Sequence, residues 1–365
     1  MACAAWKCGI CGTRTTELRC GTCDQQRAAA AAAAAAGGGA GAADASALPI
    51  KRMRLLAQGG ESQVELCVWR QQLVALKTIK RRDGGDSGTA ERAALEAVGA
   101  TRCPLVVELL DALACDDVPD CCLVLRLAVG GPLYAHVRAA AGGRFGMNRA
   151  AFYAAEVAAG LDALHASGFA HRDLKASNVL LSGAGHAVLC DLGHARRFAT
   201  LAERSVSWVG TPHAMAPEVV LREGHSTAVD WWGLGVLIFE MLTGRFPFAT
   251  AEGGGDAMWC EGAEARLALP ADVVAADASS ACSDVVFALL RRDPDQRLCG
   301  AAALLRERWF TSRGWSVATL HALEHAPPVV MDSALRLVDE AEEAEALDGD
   351  AGGLTAAEEA LFEGF

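Results

Sequence analysis

The chain has 365 residues, 52% of them apolar, and a formal net charge of −12. That length buries one large core or two modest ones; alanine inflates the apolar share, and the longest apolar run, Trp231 to Leu242, is too short and too broken by glycine to span a bilayer. No lysine or arginine follows Arg336, while acids crowd the stretch after Asp339, which argues against nucleic-acid binding by that end.

Residues 1–27 hold a cysteine cluster. Cys8 and Cys11, then Cys20 and Cys23, are paired at zinc-ligand spacing and form a candidate structural zinc knuckle. The competing reading is chance pairing in a chain with fourteen cysteines, or a redox-sensitive tail. The other cysteines are scattered through an apolar body and no apolar signal core opens the chain, so they read as reduced thiols of an intracellular protein, cytoplasmic or nuclear. Residues 28–47 are an alanine and glycine low-complexity linker.

From Leu48 the texture changes. Strands are predicted at Arg52–Leu56, Val64–Arg70 and Leu73–Ile79, followed by a glycine-rich turn at Asp83–Gly88 and a helix at Thr89–Ala97. Two further strands are predicted at Val106–Ala112 and Cys122–Leu127. Beyond Gly131 the pattern turns helical: Arg149–Ser167 has small and apolar residues at helical spacing, and Trp231–Thr243 reads as a buried helix. The class is α+β, a small β-rich lobe followed by a larger α-rich one.

Three runs carry the chemistry: His171-Arg172-Asp173-Leu174-Lys175-Ala176-Ser177-Asn178, Asp191-Leu192-Gly193 and Ala216-Pro217-Glu218. Upstream, Val74-Ala75-Leu76-Lys77 sets a lysine among apolar strand neighbours. It needs a counter-charge, and Glu91 is spaced to supply one; alone it would equally read as a strand-edge lysine reaching water. In this order the runs resemble the catalytic loop, metal loop and activation-segment end of a protein kinase. From Lys51 to about Phe310 the chain resembles a eukaryotic protein kinase catalytic domain, with residues 48–310 as the domain and 311–365 as a C-terminal tail.

The resemblance implies a bilobal kinase fold using ATP and magnesium. Lys77 would hold the α- and β-phosphates, with Glu91 as its partner. Asp173 would take or orient the substrate hydroxyl proton, and Lys175 would neutralise the transferred phosphoryl group. Asn178 and Asp191 would hold magnesium, a hard cation that wants oxygen ligands. Leu56, Val64, Ala75 and Leu180 would enclose the adenine, with Leu125 to Ala128 as the hinge; plain core packing accounts for these apolar residues equally. The phosphate-covering loop departs from the family pattern. Gly59 is kept, but the flanking glycine positions hold Ala57 and Ser62, and Glu61 is electrostatically unhelpful, so weaker nucleotide binding is expected.

Val206-Ser207-Trp208-Val209-Gly210-Thr211-Pro212 resembles the activation loop of the AGC serine/threonine group, which includes the cyclic-nucleotide-dependent kinases. Ser207 stands at its phosphoacceptor position, with Ser205 as a competing site, and an upstream activating kinase is implied. Phosphate on Ser207 would pair with Arg172 and Arg196, which otherwise repel each other and leave the loop with little to hold it. Trp309, Phe310, Trp315 and Pro327-Pro328 resemble the group's tail. Phe362 and Phe365 resemble its hydrophobic motif, expected to fold back on the small lobe; an end helix that carries aromatics by chance is the alternative. Leu95, Leu109, His171 and Leu192 resemble the apolar stack joining the lobes, and Glu218 with Arg297 a buried ion pair. Pro132 and Ser177 stand where relatives preferring basic substrates carry acids, leaving Glu240 as the acidic contact. The implied function is phosphorylation of serine or threonine in protein substrates; the alternative is a weakly active or inactive pseudokinase acting as a scaffold.

Overall fold

The computed structural model describes residues 50–60, 62–80, 88–114, 121–200, 202–248 and 281–328, together with 269, 271, 273 and a short antiparallel pairing of Trp6–Lys7 with Arg14–Thr15. The four paired cysteines, Glu61, most of the glycine-rich turn, Phe362 and Phe365 lie outside the described residues.

Five antiparallel strands make the small lobe: β1 (Lys51–Gln58), β2 (Ser62–Trp69), β3 (Gln72–Ile79), β4 (Leu109–Ala114) and β5 (Cys121–Arg126), in the spatial order β1-β2-β3-β5-β4. Side chains alternate across a strand. On β3 this puts Val74 and Leu76 on one face, where they bury with Cys67, Trp69, Cys122 and Val124. Ala75 and Lys77 take the other face. Register sets Val64 opposite Lys77 and Leu125 opposite Ala75, so a predicted adenine wall from three strands falls on one side of the sheet. That face also meets α1 (Thr89–Gly99), which packs on β4 and buries Glu91, Ala94, Leu95 and Val98. Gly88 caps α1 at φ 80°, and a Cβ there would come within 2.7 Å of Ile79 Cδ1.

The β4 boundary differs from the predicted Val106–Ala112. The strand begins at Leu109 because Leu105 to Val107 are claimed by the large lobe: Val107 N donates to Leu189 O and Leu189 N to Leu105 O, each at 2.8 Å. This backbone clasp joins the lobes behind the hinge, and alternation alone could not distinguish it from a strand.

The large lobe is helical: α2 (Leu133–Ala139), α3 (Met147–Ala166), α4 (Pro217–Val220), α5 (Ala228–Thr243), α6 (Ala281–Leu289), α7 (Ala301–Leu304), α8 (Arg308–Thr311) and α9 (Val317–His321). Short ladders β6 (Phe169–Ala170) with β9 (Arg196–Arg197), and β7 (Val179–Leu181) with β8 (Ala187–Leu189), hold the catalytic and metal loops between them. Neither α2 nor α6 is marked in the sequence reading; both are short. Helix α5 is buried at every position but Glu240, the signature of a central core helix. No helix among the described residues is long and apolar enough to cross a membrane.

Glycine is what lets α5 sit so deep. A Cβ on Gly235 would lie 2.9 Å from Leu289 Cβ and 2.8 Å from Leu290 Cδ2. Alanine gains ~1 kcal/mol in helix propensity, but overpacking a filled core costs ~1–3 kcal/mol. Gly235→Ala is therefore expected to be destabilising, by up to about 2 kcal/mol in urea titration. A variant at least as stable as the parent would show that α5 and α6 are free to separate.

Candidate active site

The cleft between the sheet and the helical body holds a cavity of about 90 Å³. Leu56, Gly59, Val64, Ala75, Lys77, Leu125, Ala128, Leu180 and Asp191 all line it, so the predicted nucleotide-binding residues from both lobes converge except Glu91, which stands behind Lys77. Ala57, Ser62 and Cys190 also stand in its wall. At the loop between β1 and β2, Gly59 N donates to Ser62 O at 2.8 Å, so the turn closes despite its missing glycines.

Lys77 is buried, and its ammonium sits 2.8 Å from Glu91 Oε1 and 2.7 Å from Asp191 Oδ1. Burial alone would drive the amine toward neutrality; Asp191 and Glu91 outweigh it and hold the amine above the ordinary lysine range. Burial likewise opposes the Asp191 charge, and Lys77 overcomes it, holding that carboxyl well below the usual range. Burial raises the Glu91 carboxyl despite Lys77. The strand lysine is therefore not a surface cation reaching water.

Asp191 adopts φ 55°, a left-handed conformation uncommon outside glycine, and its carboxylate accepts from Gly193 N at 3.4 Å. Leu192 buries in the core with Leu95, and Leu109 packs against the same cluster; His171, fully buried, donates from Nε2 to Cys190 O across 3.0 Å. The predicted interlobe stack is thus assembled. Arg172 is also left-handed at φ 67°. Asp230 holds this bend: its carboxylate accepts from His171 N at 2.8 Å and Arg172 N at 2.7 Å, and lies 2.7 Å from His165 Nε2. Burial opposes the charge, but these bonds win and keep the Asp230 carboxyl below its ordinary value.

Asp173 is buried and fully engaged. Its Oδ1 accepts from Thr211 N at 2.8 Å and Thr211 Oγ1 at 2.6 Å; its Oδ2 accepts from Asn178 Nδ2 at 3.0 Å and lies 3.2 Å from Lys175 Nζ. Lys175 also donates to Thr211 Oγ1 at 2.9 Å. A hydroxyl held between this carboxylate and this ammonium is what the predicted chemistry demands. Thr211 is a functional residue that the sequence reading missed, along with Gly210, at φ 104°, where a Cβ would fall 2.6 Å from Arg172 O. The adjacent Gly-Thr pair was the available signal.

The donor set suits a hard cation. Asn178 uses its amide nitrogen on Asp173 O and Oδ2, which leaves Oδ1 buried without a partner among the described residues. An orphaned carbonyl oxygen costs stability unless something occupies it. With the ionised Asp191 it offers the oxygen ligands that magnesium prefers. No cluster of three His, Cys, Asp or Glu side chains that could hold a metal ion occurs among the described residues.

The activation segment departs from expectation. Without phosphate, Arg172 and Arg196 were expected to leave it unheld. Instead Arg172 Nη1 donates to Ser207 Oγ at 2.7 Å, Arg196 Nη2 lies 3.3 Å from Glu203, and Ser205 exchanges backbone bonds with His225. A neutral hydroxyl acceptor and a nearby acid suffice to seat the arginines. Glu218 and Arg297 form the predicted buried pair, bidentate at 2.7 and 2.9 Å. Burial pushes Glu240 up to about 7 against the opposing charge of Arg138, which weakens it as the expected acidic contact.

A protein kinase domain model matches residues 50–310. Among curated proteins, the chain is 36% identical over 252 residues to the serine/threonine protein kinase ypkA of Aspergillus fumigatus, covering 67% of this chain and 38% of that protein. It is 33% identical over 294 residues to serine/threonine-protein kinase N2 of Danio rerio, covering 77% and 28%, and 32% identical over 255 residues to the cAMP-dependent protein kinase catalytic subunit of Dictyostelium discoideum, covering 68% and 36%. The chain thus spans well under half the length of these relatives. Matched through both lobes and through every loop that builds the cleft, the chain belongs to the protein kinase domain family, on its AGC serine/threonine side.

Proposed function

We propose that this chain transfers the γ-phosphoryl group of ATP to serine or threonine hydroxyls of protein substrates. The observation that carries the reading is the Lys77 ammonium bonded at once to Glu91 and Asp191, since only a closed α1 and an inward metal loop bring all three together. Lys77 would hold nucleotide phosphates, and Asn178 Oδ1 with Asp191 would hold magnesium. Bound magnesium supplies neutralisation of phosphate charge. Asp173 orients the acceptor hydroxyl and takes its proton, while Lys175 offsets charge on the group in transit. The ordered loop turn and complete polar set weigh against the scaffold reading. The test is γ-labelled Mg-ATP with a serine/threonine peptide array, using Asp173→Asn as control; no transfer above that control would leave the fold without the activity.

Ser207 is the proposed regulatory site. Its hydroxyl is partly accessible and already on Arg172, whereas Ser205 is 2% exposed and locked in a backbone ladder. Phosphate there would exchange a neutral acceptor for a near-dianion between two arginines. Ser207→Ala is expected to lose most activity and Ser205→Ala little, read in parallel with phosphosite mass spectrometry of active enzyme. The reverse pattern would transfer the role to Ser205. An upstream kinase would supply the phosphate.

The tail reading rests on Phe362 and Phe365. Burying an aromatic contributes ~1.5–3 kcal/mol, enough to bias α1 toward Lys77. Truncation after Ala360 should therefore lower activity and melting temperature together; unchanged values for both would remove the aromatics from regulation. Zinc at Cys8, Cys11, Cys20 and Cys23 is proposed on spacing, supported by the strand pair that brackets Cys8 and Cys11. An intracellular location, cytoplasmic or nuclear, is proposed from thiol usage.

A further inference from the structure

Next to the Arg172–Ser207 pair lies a buried imidazole, His225, whose Nδ1 has no partner among the described residues. Ser205 and His225 exchange N–H···O bonds in both directions at 2.8 Å. Residues opposed in such a pair present side chains on one face. The Ser205 hydroxyl lies 2.8 Å from that of Ser207, and Arg172 Nη1 reaches both Ser207 Oγ at 2.7 Å and His225 Nε2 at 3.5 Å. The imidazole, two hydroxyls and a guanidinium therefore form a single cluster, with His225 only 1% exposed.

A guanidinium has only hydrogens to offer, so the ring turns its lone pair to it and Nε2 is the bare nitrogen. The hydrogen then sits on Nδ1, and Nδ1 is buried with no partner among the described residues. The ring is faced by Arg172 and Arg196 on one side of the balance and by Glu218 and Asp230 on the other; burial and the arginines prevail and depress it to about 4. In the unmodified chain His225 is thus a neutral ring whose bare Nε2 faces the guanidinium that holds the hydroxyl proposed to carry phosphate.

We propose that His225 is the third donor to a phosphate on Ser207, beside Arg172 and Arg196. This rests on the Ser207 reading. A phosphoserine brings about −1.5 to −2 charge to the side of the ring that now meets a guanidinium. Negative charge there opposes the arginines and burial that keep the ring neutral, and the imidazole takes up a proton as the dianion arrives. Nε2, the ring nitrogen that faces Arg172, then carries a proton and donates toward the phosphate that Arg172 holds. Because the ring's proton affinity is raised in the phosphorylated state, its contribution is fully present below the unmodified value. It is lost as pH rises through the raised one. Phosphate on Ser207 is consequently held more firmly in mildly acidic than in alkaline solution.

The experiment uses the full chain with phosphoserine installed at position 207 during translation, so no upstream kinase is needed. Phosphorus NMR then follows the second phosphate ionisation in the parent, His225→Phe and His225→Gln. The parent should titrate below the value of about 6 for free phosphoserine. His225→Phe should move that midpoint up by about half to one unit and speed removal of the phosphate by a phosphatase about five- to tenfold. His225→Gln, which donates without charge, should keep much of the protection but lose its pH dependence. Imidazole nitrogen shifts in the parent, assigned by the resonance that His225→Gln deletes, should show the ring's pKa rising on phosphorylation. Identical midpoints and phosphatase rates in parent and His225→Phe, or a ring pKa unmoved by phosphate, would overturn the assignment. If the phosphorylated chain is no more active than the unmodified one, the activating role of Ser207 falls instead, and the phosphorus titration still decides His225.

Discussion

Asp173→Ala is expected to lower turnover by ~10²–10⁴, the usual scale for a positioned acid–base group, while nucleotide binding stays near the parent value. The two readouts separate because different residues serve them. Asp173 touches Thr211, Lys175 and Asn178, on the acceptor side of the site. Lys77, Glu91 and the adenine wall do not contact it. Removing the carboxylate also strips Thr211 and Asn178 of their acceptor, so part of any loss is positional. Asp173→Asn keeps the shape and most hydrogen bonds but cannot take a proton, and it should retain little more activity than alanine. Steady-state rates with calorimetric nucleotide titration check both. Equal turnover in parent and Asp173→Ala would mean that the loop is structural and the phosphotransfer reading is wrong.

The site was legible in the sequence to the extent that chemistry fixes residue type. Lys77, Asp173, Asn178 and Asp191 are polar groups in apolar surroundings, and each needs a reason to be there. What pattern could not show was how the loops are held. Asp230 stands just before the predicted Trp231–Thr243 helix and nothing in the pattern marks it, yet its carboxylate organises the bend that aims Asp173. Thr211 read as part of a loop, though it bonds the two catalytic side chains. Such roles depend on contacts between residues 38 and 58 positions apart, which periodicity does not carry. The same limit misplaced β4: Leu105 to Val107 alternate like a strand but bond to β8 in the other lobe. The segment around Ser207 was expected to await phosphate, because charge counting saw two arginines and not the hydroxyl and the acid that already occupy them.

Arg297→Met should be among the most damaging single changes to stability, at ~3–5 kcal/mol for one half of a buried pair. The Arg297 side chain is fully buried, and its guanidinium lies over the Trp232 ring at 5.3 Å. It donates to both Glu218 oxygens, to Ala228 O at 2.9 Å and to Arg291 O at 3.0 Å. Methionine fills similar volume, so the loss is that of donors rather than of packing. It strands a buried carboxylate together with carbonyls at the start of α5 and the end of α6. Glu218→Gln keeps an acceptor for Arg297 and should cost less, ~1–3 kcal/mol. The pair replaced together by Glu218→Leu and Arg297→Met should recover part of the single-variant loss, since no uncompensated charge remains. The consequence reaches the active site along a short path: Glu218 closes the segment that begins with Gly210 and Thr211 on Asp173. Loosening it should therefore reduce turnover at temperatures where the fold is still intact. Urea midpoints for the cycle, with turnover measured well below each variant's melting point, test both halves. An Arg297→Met chain within ~1 kcal/mol of the parent, or one destabilised but fully active, would confine the pair to a local role and detach the activation segment's anchor from the catalytic loop.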